Sequence, residues 1–293
     1  MDLSSNVLVI VNPISGTKGK EKIIEYFHRT PSYTVAYTRG AGDATRMAAA
    51  AASNDISAVI AVGGDGTVRE VAMGLLGGNI PLGIIPSGSG NGLARHLGLP
   101  LDYSKAMEII TMEHIVRCDC GMVGHAPFFC TMGVGFDAAV SHLFAESEKR
   151  GPIAYVQAAL KSYQNYSPEN YRIILPEKTI ERKAFLLTIA NATQYGNNAR
   201  IAPNASVTDG MLDVTILQAG DHLHTVEACL EMFAGGLHRN PLIETYSTPQ
   251  VRIERSTPGN AHLDGEPLIL PAAIDICIRP KALPIFTNPD RKI

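Results

Sequence analysis

The chain has 293 residues, 45% hydrophobic and 18% charged, a composition that excludes a disordered chain and allows one large domain or two ordinary ones. The net charge of −3 argues against a general nucleic-acid binder, which normally carries a basic face. No apolar run reaches the roughly 20 residues of a membrane span, so we expect a cytoplasmic protein.

Residues 1–116 alternate between short apolar runs and segments with helical spacing. Because the apolar runs show no polar face, they predict a doubly wound, Rossmann-like parallel sheet with helices on both faces. Asp43 is the predicted N-cap of the second helix. The predicted strands are 6–11, 33–38, 57–62 and 80–86, and the predicted helices are 20–29, 42–53, 67–76, 91–98 and 103–112.

Residues 117–279 have a different pattern. Short β-type runs separated by Gly, Pro and Asn indicate an antiparallel β-sandwich. Helical spacing at 153–166 and at 224–237 interrupts these runs. The last segment, 280–293, is expected to return to the first domain.

Three glycine-rich loops follow predicted strands of the first domain, at 12–20, 63–67 and 86–92. Ligands of open α/β sheets bind beyond the carboxyl ends of the strands. Glycine lets the backbone approach a ligand, and successive N–H groups at the start of a helix attract anions. Each loop alone could be a tight turn, but three at one sheet edge predict a polyphosphate site. Neither the P-loop pattern nor G-x-G-x-x-G is present.

Asp65 is an unusual residue for an anion site. A carboxylate repels phosphate unless a cation lies between them, and Mg²⁺ would bridge carboxylate and nucleotide oxygens. The alternative is a turn or N-cap role for Asp65, with Thr67 capping the helix.

Several motifs together resemble the bacterial type of the diacylglycerol kinase and sphingosine kinase family of lipid kinases. They are NPISG at 12–16, GGDGT at 63–67, IPSGSGNGLAR at 85–95, YGNNARIAPNASVTDGMLDV at 195–214, LDGE at 263–266 and RPKALPIF at 279–286. The resemblance spans nearly the whole chain and preserves the order of the motifs. It implies an NAD-kinase-like nucleotide domain and a lipid-substrate domain.

The resemblance also implies a set of residues that bind ATP at the domain cleft. By match to the family pattern, these residues are Asn12, Pro13, Ser15, Gly16, Thr38, Gly63, Gly64, Asp65, Gly66, Thr67, Glu70, Ser89, Gly90 and Asn91. Cations near the phosphates could come from Lys18, Lys20, Arg69 and Arg200.

Two further carboxylate sites are implied in the second domain. Glu266 or Asp264 would be the catalytic base, while Asp65 would belong to the Mg²⁺–nucleotide network. A structural Mg²⁺ would be bound by Asp209 with contributions from Ser206 and Met211. Taken alone, the Asp-Gly of LDGE could equally be the corner of a β-turn.

The implied activity is ATP-dependent, Mg²⁺-dependent phosphorylation of a lipid hydroxyl. The acceptor stays open between diacylglycerol and a sphingoid or ceramide-type lipid, because Ser89 stands where many diacylglycerol-type members have threonine. An NAD kinase-like enzyme and a non-catalytic lipid- or nucleotide-binding regulator are the alternatives.

The expected partner is a lipid substrate, reached by transient peripheral contact with the inner face of the membrane. No nucleic acid is expected, and a homodimer is left open. In the helical segment 153–166, Ile153, Val156, Ala159 and Leu160 form an apolar stripe. This stripe either packs in the core or touches the bilayer surface.

Overall fold

The computed structural model describes residues 6–14, 20–146, 161–163, 166–234 and 236–291. Ser15, Gly16 and Lys18 of the first glycine loop lie outside the described residues, as does most of the predicted helix 153–166, including its apolar stripe.

The chain folds into two compact units. The first comprises Met1–Asp119 and Pro280–Ile293, and the second comprises Cys120–Arg279. The sequence analysis set the first boundary at residue 116 and assigned 280–293 to the first domain.

The first unit is built on a parallel sheet. Its strands are β1 (Val7–Val11), β2 (Tyr33–Tyr37), β3 (Ala58–Gly63), β4 (Leu82–Pro86) and the C-terminal end of β15 (Ala273–Phe286). They lie in the order β2, β1, β3, β4, β15, and every neighbouring pair is parallel. Both β3 and β4 are buried throughout, which explains why they read as continuous apolar runs. The predicted α/β class is confirmed.

The described part of this unit contains five helices. They are α1 (Lys20–Arg29), α2 (Asp43–Ala51), α3 (Asp65–Leu75), α4 (Gly92–His96) and α5 (Tyr103–Thr111). In α1, Ile23 and Phe27 are four residues apart and therefore lie on the same face, where they are buried in the core around Ile60.

The start of α2 differs from the sequence prediction. Gly42, with a left-handed φ of 81°, is the N-cap rather than Asp43. The carboxylate of Glu70 accepts the N–H groups of Gly42 (2.9 Å) and Ala44 (3.2 Å). The carboxylate of Asp43 accepts instead from the N–H of Arg39 (2.7 Å), which precedes the helix. A residue distant in sequence therefore caps α2, which no local pattern reveals.

The second unit is antiparallel. Its strands are the C-terminal part of β5 (Ile115–Val123), β6 (Ala126–Phe128), β7 (Thr131–Gly135), β8 (Glu169–Ile174), β9 (Thr179–Ala190), β10 (Leu212–Gln218), β11 (Ile243–Thr248), β12 (Gln250–Glu254), β13 (Gly259–Leu263), β14 (Glu266–Leu270) and the first part of β15. The order is β14, β13, β7, β9, β8, β12, β15, with β10 and β11 extending from β9. Met132, Tyr171, Ile173 and Leu187 are among its fully or almost fully buried core residues.

Among the described residues of this unit, the helices with given bounds are α6 (Phe136–Glu146) and α7 (His222–Ala234), and residues 161–163 are also helical. The sequence analysis anticipated α7 but not α6, and it did not identify β11 or β14 as strands. No helix among the described residues has the length and apolar character needed to cross a membrane.

Candidate active site

The glycine loops of the first unit start at one edge of its sheet. Parallel pairing places Val11 opposite Val62 and Gly63 opposite Pro86, so the residues that follow β1, β3 and β4 emerge side by side. The structure therefore brings together Asn12 and the second and third glycine loops, as expected for the carboxyl edge of an open α/β sheet.

The second and third loops touch through their backbones. A Cβ atom added to Gly88 would lie 2.5 Å from the Cα of Gly64, and one added to Gly63 would lie 2.5 Å from the Cβ of Thr67. Real Cβ atoms do not approach other atoms this closely. Glycine at these positions is required by the contact of one loop with the other and with the first turn of α3.

Asp65 connects these two loops. It is the first residue of α3, and its carboxylate accepts the N–H groups of Asn91 (2.8 Å) and Gly92 (2.6 Å) at the start of α4. The side chain of Asn91, at a left-handed φ of 54°, accepts from the N–H of Gly88 (2.9 Å) and donates to its carbonyl (2.7 Å). The third loop is therefore held from two sides. Gly64, not Asp65, is the N-cap of α3, and the carboxylate of Asp65 instead caps the start of α4.

The first loop is held by Asn12 and Lys20. The amide of Asn12 donates to the hydroxyl of Thr67 (3.3 Å), and the ammonium of Lys20 donates to the carbonyls of Asn12 (3.0 Å) and Pro13 (2.7 Å). Burial lowers the pKa of Lys20 below its usual value. The sequence names Lys20 as a candidate cation near the phosphates, and in the structure its ammonium contacts the backbone of the first loop.

The remaining residues that are predicted to bind the nucleotide differ in their exposure and in their hydrogen bonds. Gly66 and Ser89 are exposed, and the carbonyl of Gly90 accepts from the guanidinium of Arg95 (3.0 Å). Thr38 follows β2 and donates its N–H to Val11 (3.0 Å). Glu70, which was matched to phosphate contacts, instead has both carboxylate oxygens on backbone N–H groups of α2 and the residue before it.

In the second unit, Asp264 and Gly265 form the two-residue turn between β13 and β14. Both have positive φ, 53° and 85°, as a type I′ turn requires, and Asp-Gly is a favoured pair for that turn. Leu263 and Glu266 are the paired residues on either side. The β-turn interpretation and the catalytic interpretation of LDGE are therefore compatible.

The two carboxylates of this turn differ sharply. That of Asp264 accepts three backbone N–H groups, from Phe129 (2.8 Å), Cys130 (2.7 Å) and Thr131 (3.1 Å). The N–H of Asp264 donates in turn to the carbonyl of Thr131 (2.8 Å). Glu266, by contrast, is exposed. Asp264 therefore anchors the turn.

The predicted metal turn contains Asp209. This exposed side chain accepts from the N–H of Met211 (3.0 Å), and Gly210 follows at a φ of 73°. The hydroxyl of Ser206 accepts from the N–H of Thr208 (3.2 Å). Burial raises the pKa of the nearby Asp213, and the negative charge of Asp209 raises it further. Carboxylate, hydroxyl and main-chain oxygens are hard ligands, so the donor set fits Mg²⁺.

The sequence analysis missed two buried residues of the second unit, Asp137 and His262. Asp137 lies in the unpredicted helix α6, and His262 is two residues before Asp264. The proximity of His262 to LDGE was the only signal in the sequence, since contacts with residues far along the chain leave no local pattern.

Models of known protein families match residues in both units. The model of the diacylglycerol kinase catalytic domain matches residues 6–123, and the model of the YegS C-terminal NAD kinase beta sandwich-like domain matches residues 130–287. The second match agrees with the predicted β-sandwich.

Two curated proteins are similar over much of the chain. A diacylglycerol kinase of Mycobacterium tuberculosis is 30% identical over 294 aligned residues, covering 96% of this chain and 94% of that protein. A probable lipid kinase YegS-like of Chromohalobacter salexigens is 31% identical over 232 residues, covering 77% of this chain and 75% of that protein.

Two crystal structures from Bacillus anthracis share the fold. One has a TM-score of 0.82 at 25% identity and covers 97% of this chain and 96% of that chain. The other, of a diacylglycerol kinase, has a TM-score of 0.74 at 22% identity, with 97% of both chains covered, and bears on the fold alone.

Proposed function

Because the chain belongs to the diacylglycerol kinase family and is a lipid kinase, we propose that it transfers the γ-phosphoryl group of ATP to the free hydroxyl of diacylglycerol. The name of the Mycobacterium tuberculosis relative, which aligns with almost the whole chain, supports diacylglycerol over a sphingoid or ceramide acceptor. Either acceptor presents a hydroxyl, so the reaction class is the same for both.

The observation that carries the proposal is the exposed carboxylate of Glu266 beside a turn anchored by Asp264. A lipid hydroxyl is a weak nucleophile until it loses its proton, and a positioned base contributes about 10²- to 10⁴-fold in rate. Glu266 takes this proton as the hydroxyl oxygen attacks the γ-phosphorus. The bond from that phosphorus to the β,γ-bridging oxygen breaks, and ADP leaves.

The glycine loops of the first unit would bind the phosphates. Phosphoryl transfer depends mainly on positioning and charge neutralisation. The contacts of Asp65 with Asn91 and Gly92 hold the second and third loops in register, and Gly66 and Ser89 are exposed beside them. Lys20 supplies positive charge at the first loop.

Mg²⁺, when bound, would neutralise phosphate charge or stabilise the fold. Asp65 is the carboxylate among the glycine loops that could share a nucleotide-bound cation. Asp209, with oxygens of Ser206 and Met211, would hold the separate structural ion.

The test is incubation of the purified protein with γ-³²P-labelled ATP and a panel of acceptors in mixed micelles. The panel contains diacylglycerol, monoacylglycerol, sphingosine, ceramide, phosphatidylglycerol and NAD. We expect the label to appear in phosphatidic acid. Label in a sphingoid or ceramide phosphate would change the acceptor but keep the reaction, and label in NADP alone would establish the NAD kinase-like alternative. Nucleotide binding without transfer to any acceptor would indicate a regulator.

A further inference from the structure

A buried carboxylate–histidine pair lies beside the Asp264 turn. Asp137, the second residue of α6, is 6% exposed, and His262 in β13 is 1% exposed. The Nε2 atom of His262 lies 3.2 Å from the Oδ2 atom of Asp137. Neither residue has a part in the proposed chemistry as described above.

Asp137 is held firmly by other donors. Its Oδ2 accepts from the hydroxyls of Thr188 (2.8 Å) and Tyr195 (2.9 Å), and its Oδ1 accepts from the N–H of Ala138 (2.8 Å). A buried carboxylate is costly unless it is hydrogen-bonded, and both oxygens of Asp137 accept hydrogen bonds. Its position is therefore fixed relative to β9 and α6.

His262 extends this contact to the turn. Its Nδ1 accepts the backbone N–H of Gly265 at 3.3 Å, while its Nε2 faces Asp137. A neutral imidazole has one N–H donor and one acceptor nitrogen. These two contacts therefore require the tautomer protonated at Nε2, which donates to Asp137 and accepts from Gly265.

The space around the pair is tight. A Cβ added to Gly133 would lie 2.2 Å from Asp137 Oδ2 and 2.5 Å from His262 Nε2. The glycine in β7 thus admits both side chains, and neither has room to rotate toward β7. The imidazole is held in one orientation.

We propose that Asp137 and His262 are a positioning pair that fixes the Asp264–Gly265 turn and so orients Glu266. The turn is held at both residues, with the carboxylate of Asp264 on three backbone N–H groups and the N–H of Gly265 on His262. Glu266 is the next residue along the chain. The inference rests on the proposed role of Glu266 as the base.

Two substitutions of His262 separate its contacts. In His262→Asn, the side-chain oxygen can occupy the Nδ1 position and still accept from Gly265. In His262→Gln, the amide reaches the Nε2 position and can donate to Asp137, but no acceptor remains beside Gly265. A purely structural requirement for a polar group in the core would not favour asparagine over glutamine.

The first measurement is hydrogen exchange at the Gly265 amide by NMR, which does not depend on activity. We expect exchange at least about tenfold faster in His262→Gln than in wild type, and near wild type in His262→Asn. The second measurement is steady-state kinetics. We expect kcat to fall about 10- to 100-fold in His262→Gln with an unchanged KM for ATP, and to recover in large part in His262→Asn.

His142→Gln is the matched control. His142 in α6 also contacts this hairpin, through Nε2 to the carbonyl of Leu268 at 3.1 Å, but away from the turn. It should leave both the Gly265 exchange rate and kcat unchanged. If His262→Gln does not fold, Asp137→Asn provides the test, since it weakens the support of the imidazole and should give a smaller loss of protection and kcat.

Unchanged Gly265 exchange and kcat in folded His262→Gln would overturn the inference, and so would equal losses in the glutamine and asparagine variants. Failure of the proposed function would give a different set of results from failure of this inference. In that case wild type transfers no label to any lipid, and Glu266→Gln changes nothing, whatever the Gly265 amide does.

Discussion

Asp65 and Asp264 each precede a glycine, and each accepts backbone N–H groups from a distant part of its own unit. Asp65 accepts two, from Asn91 and Gly92, at the point where α3 begins. Asp264 accepts three, and it lies at a hairpin turn between two strands. The first therefore joins two glycine loops, whereas the second fixes a turn whose next residue is an exposed glutamate.

The difference shows how one dipeptide serves two tasks. Asp65 lies between loops in which Gly66 and Ser89 are exposed, so its negative charge would be close to the phosphates in the binding site that we propose. Asp264 holds the chain through three backbone N–H groups, and the base that we propose is its neighbour Glu266. In this proposal, positioning and chemistry are combined at Asp65 and divided between two residues at the hairpin.

The largest effect is expected for Glu266→Gln. Glutamine keeps the size of the side chain but cannot take a proton from a lipid hydroxyl, so kcat should fall by about 10²- to 10⁴-fold. The melting temperature should stay unchanged because Glu266 is exposed. The measurement is label transfer to lipid at saturating ATP.

Glu177→Gln is the control for that experiment. Glu177 is an exposed glutamate in the connection between β8 and β9, another hairpin of the same unit. It should retain wild-type turnover. Wild-type turnover in Glu266→Gln would show that Glu266 is not the base. The hairpin would then not divide the anchor and the base between two residues.

Asp65→Asn should have an effect of similar size. Asparagine offers one acceptor oxygen where the carboxylate offers two, so one of the N–H groups of Asn91 and Gly92 loses its partner at a cost of about 1–3 kcal/mol. The protein should remain folded, yet phosphoryl transfer should be nearly abolished because the charge beside the phosphates is lost. Circular dichroism and label transfer check the two parts, and full turnover in a folded variant would leave Asp65 with a purely structural role.

Much of the first unit was predictable because its signals are local. Buried parallel strands are continuous apolar runs, and the glycines of 63–67 and 86–92 mark the loops directly. The predicted N-cap of α2, Asp43, was wrong, because N–H groups at the start of this helix donate to Glu70 of α3. The residue types of the motifs identified the family, but they did not reveal that the carboxylate of Asp65 accepts backbone N–H groups at the start of α4.

The second unit was harder to predict. Helix α6 follows the apolar, glycine-containing stretch at 127–135, which favours strand, and it contains few charges to mark a polar face. The contacts of Asp264 with 129–131 and of His262 with Asp137 join residues more than 120 positions apart. Such contacts are set by sheet topology, so the sequence could not show which of Asp264 and Glu266 anchors the turn and which is the proposed base.

Asp264→Ala should mainly reduce stability. Three backbone N–H groups lose their acceptor, and alanine is less favourable than aspartate at a φ of 53°. We expect the free energy of unfolding to fall by at least about 3 kcal/mol in urea titration. Asp264→Asn, which tolerates the same φ and keeps one acceptor, should lose less. Equal, small losses in both variants would contradict the anchoring role.

Asp209→Ala, at a third Asp-Gly pair, should have the smallest effect. Asp209 is exposed and accepts from Met211, two residues away, so without metal the cost should be below about 1.5 kcal/mol. If the turn holds Mg²⁺, the ion binds only the folded protein and raises the melting temperature of wild type. That rise should be absent in Asp209→Ala and preserved in Asp55→Ala, an exposed aspartate of the first unit. An equal rise in wild type and Asp209→Ala, measured against EDTA, would place the metal elsewhere.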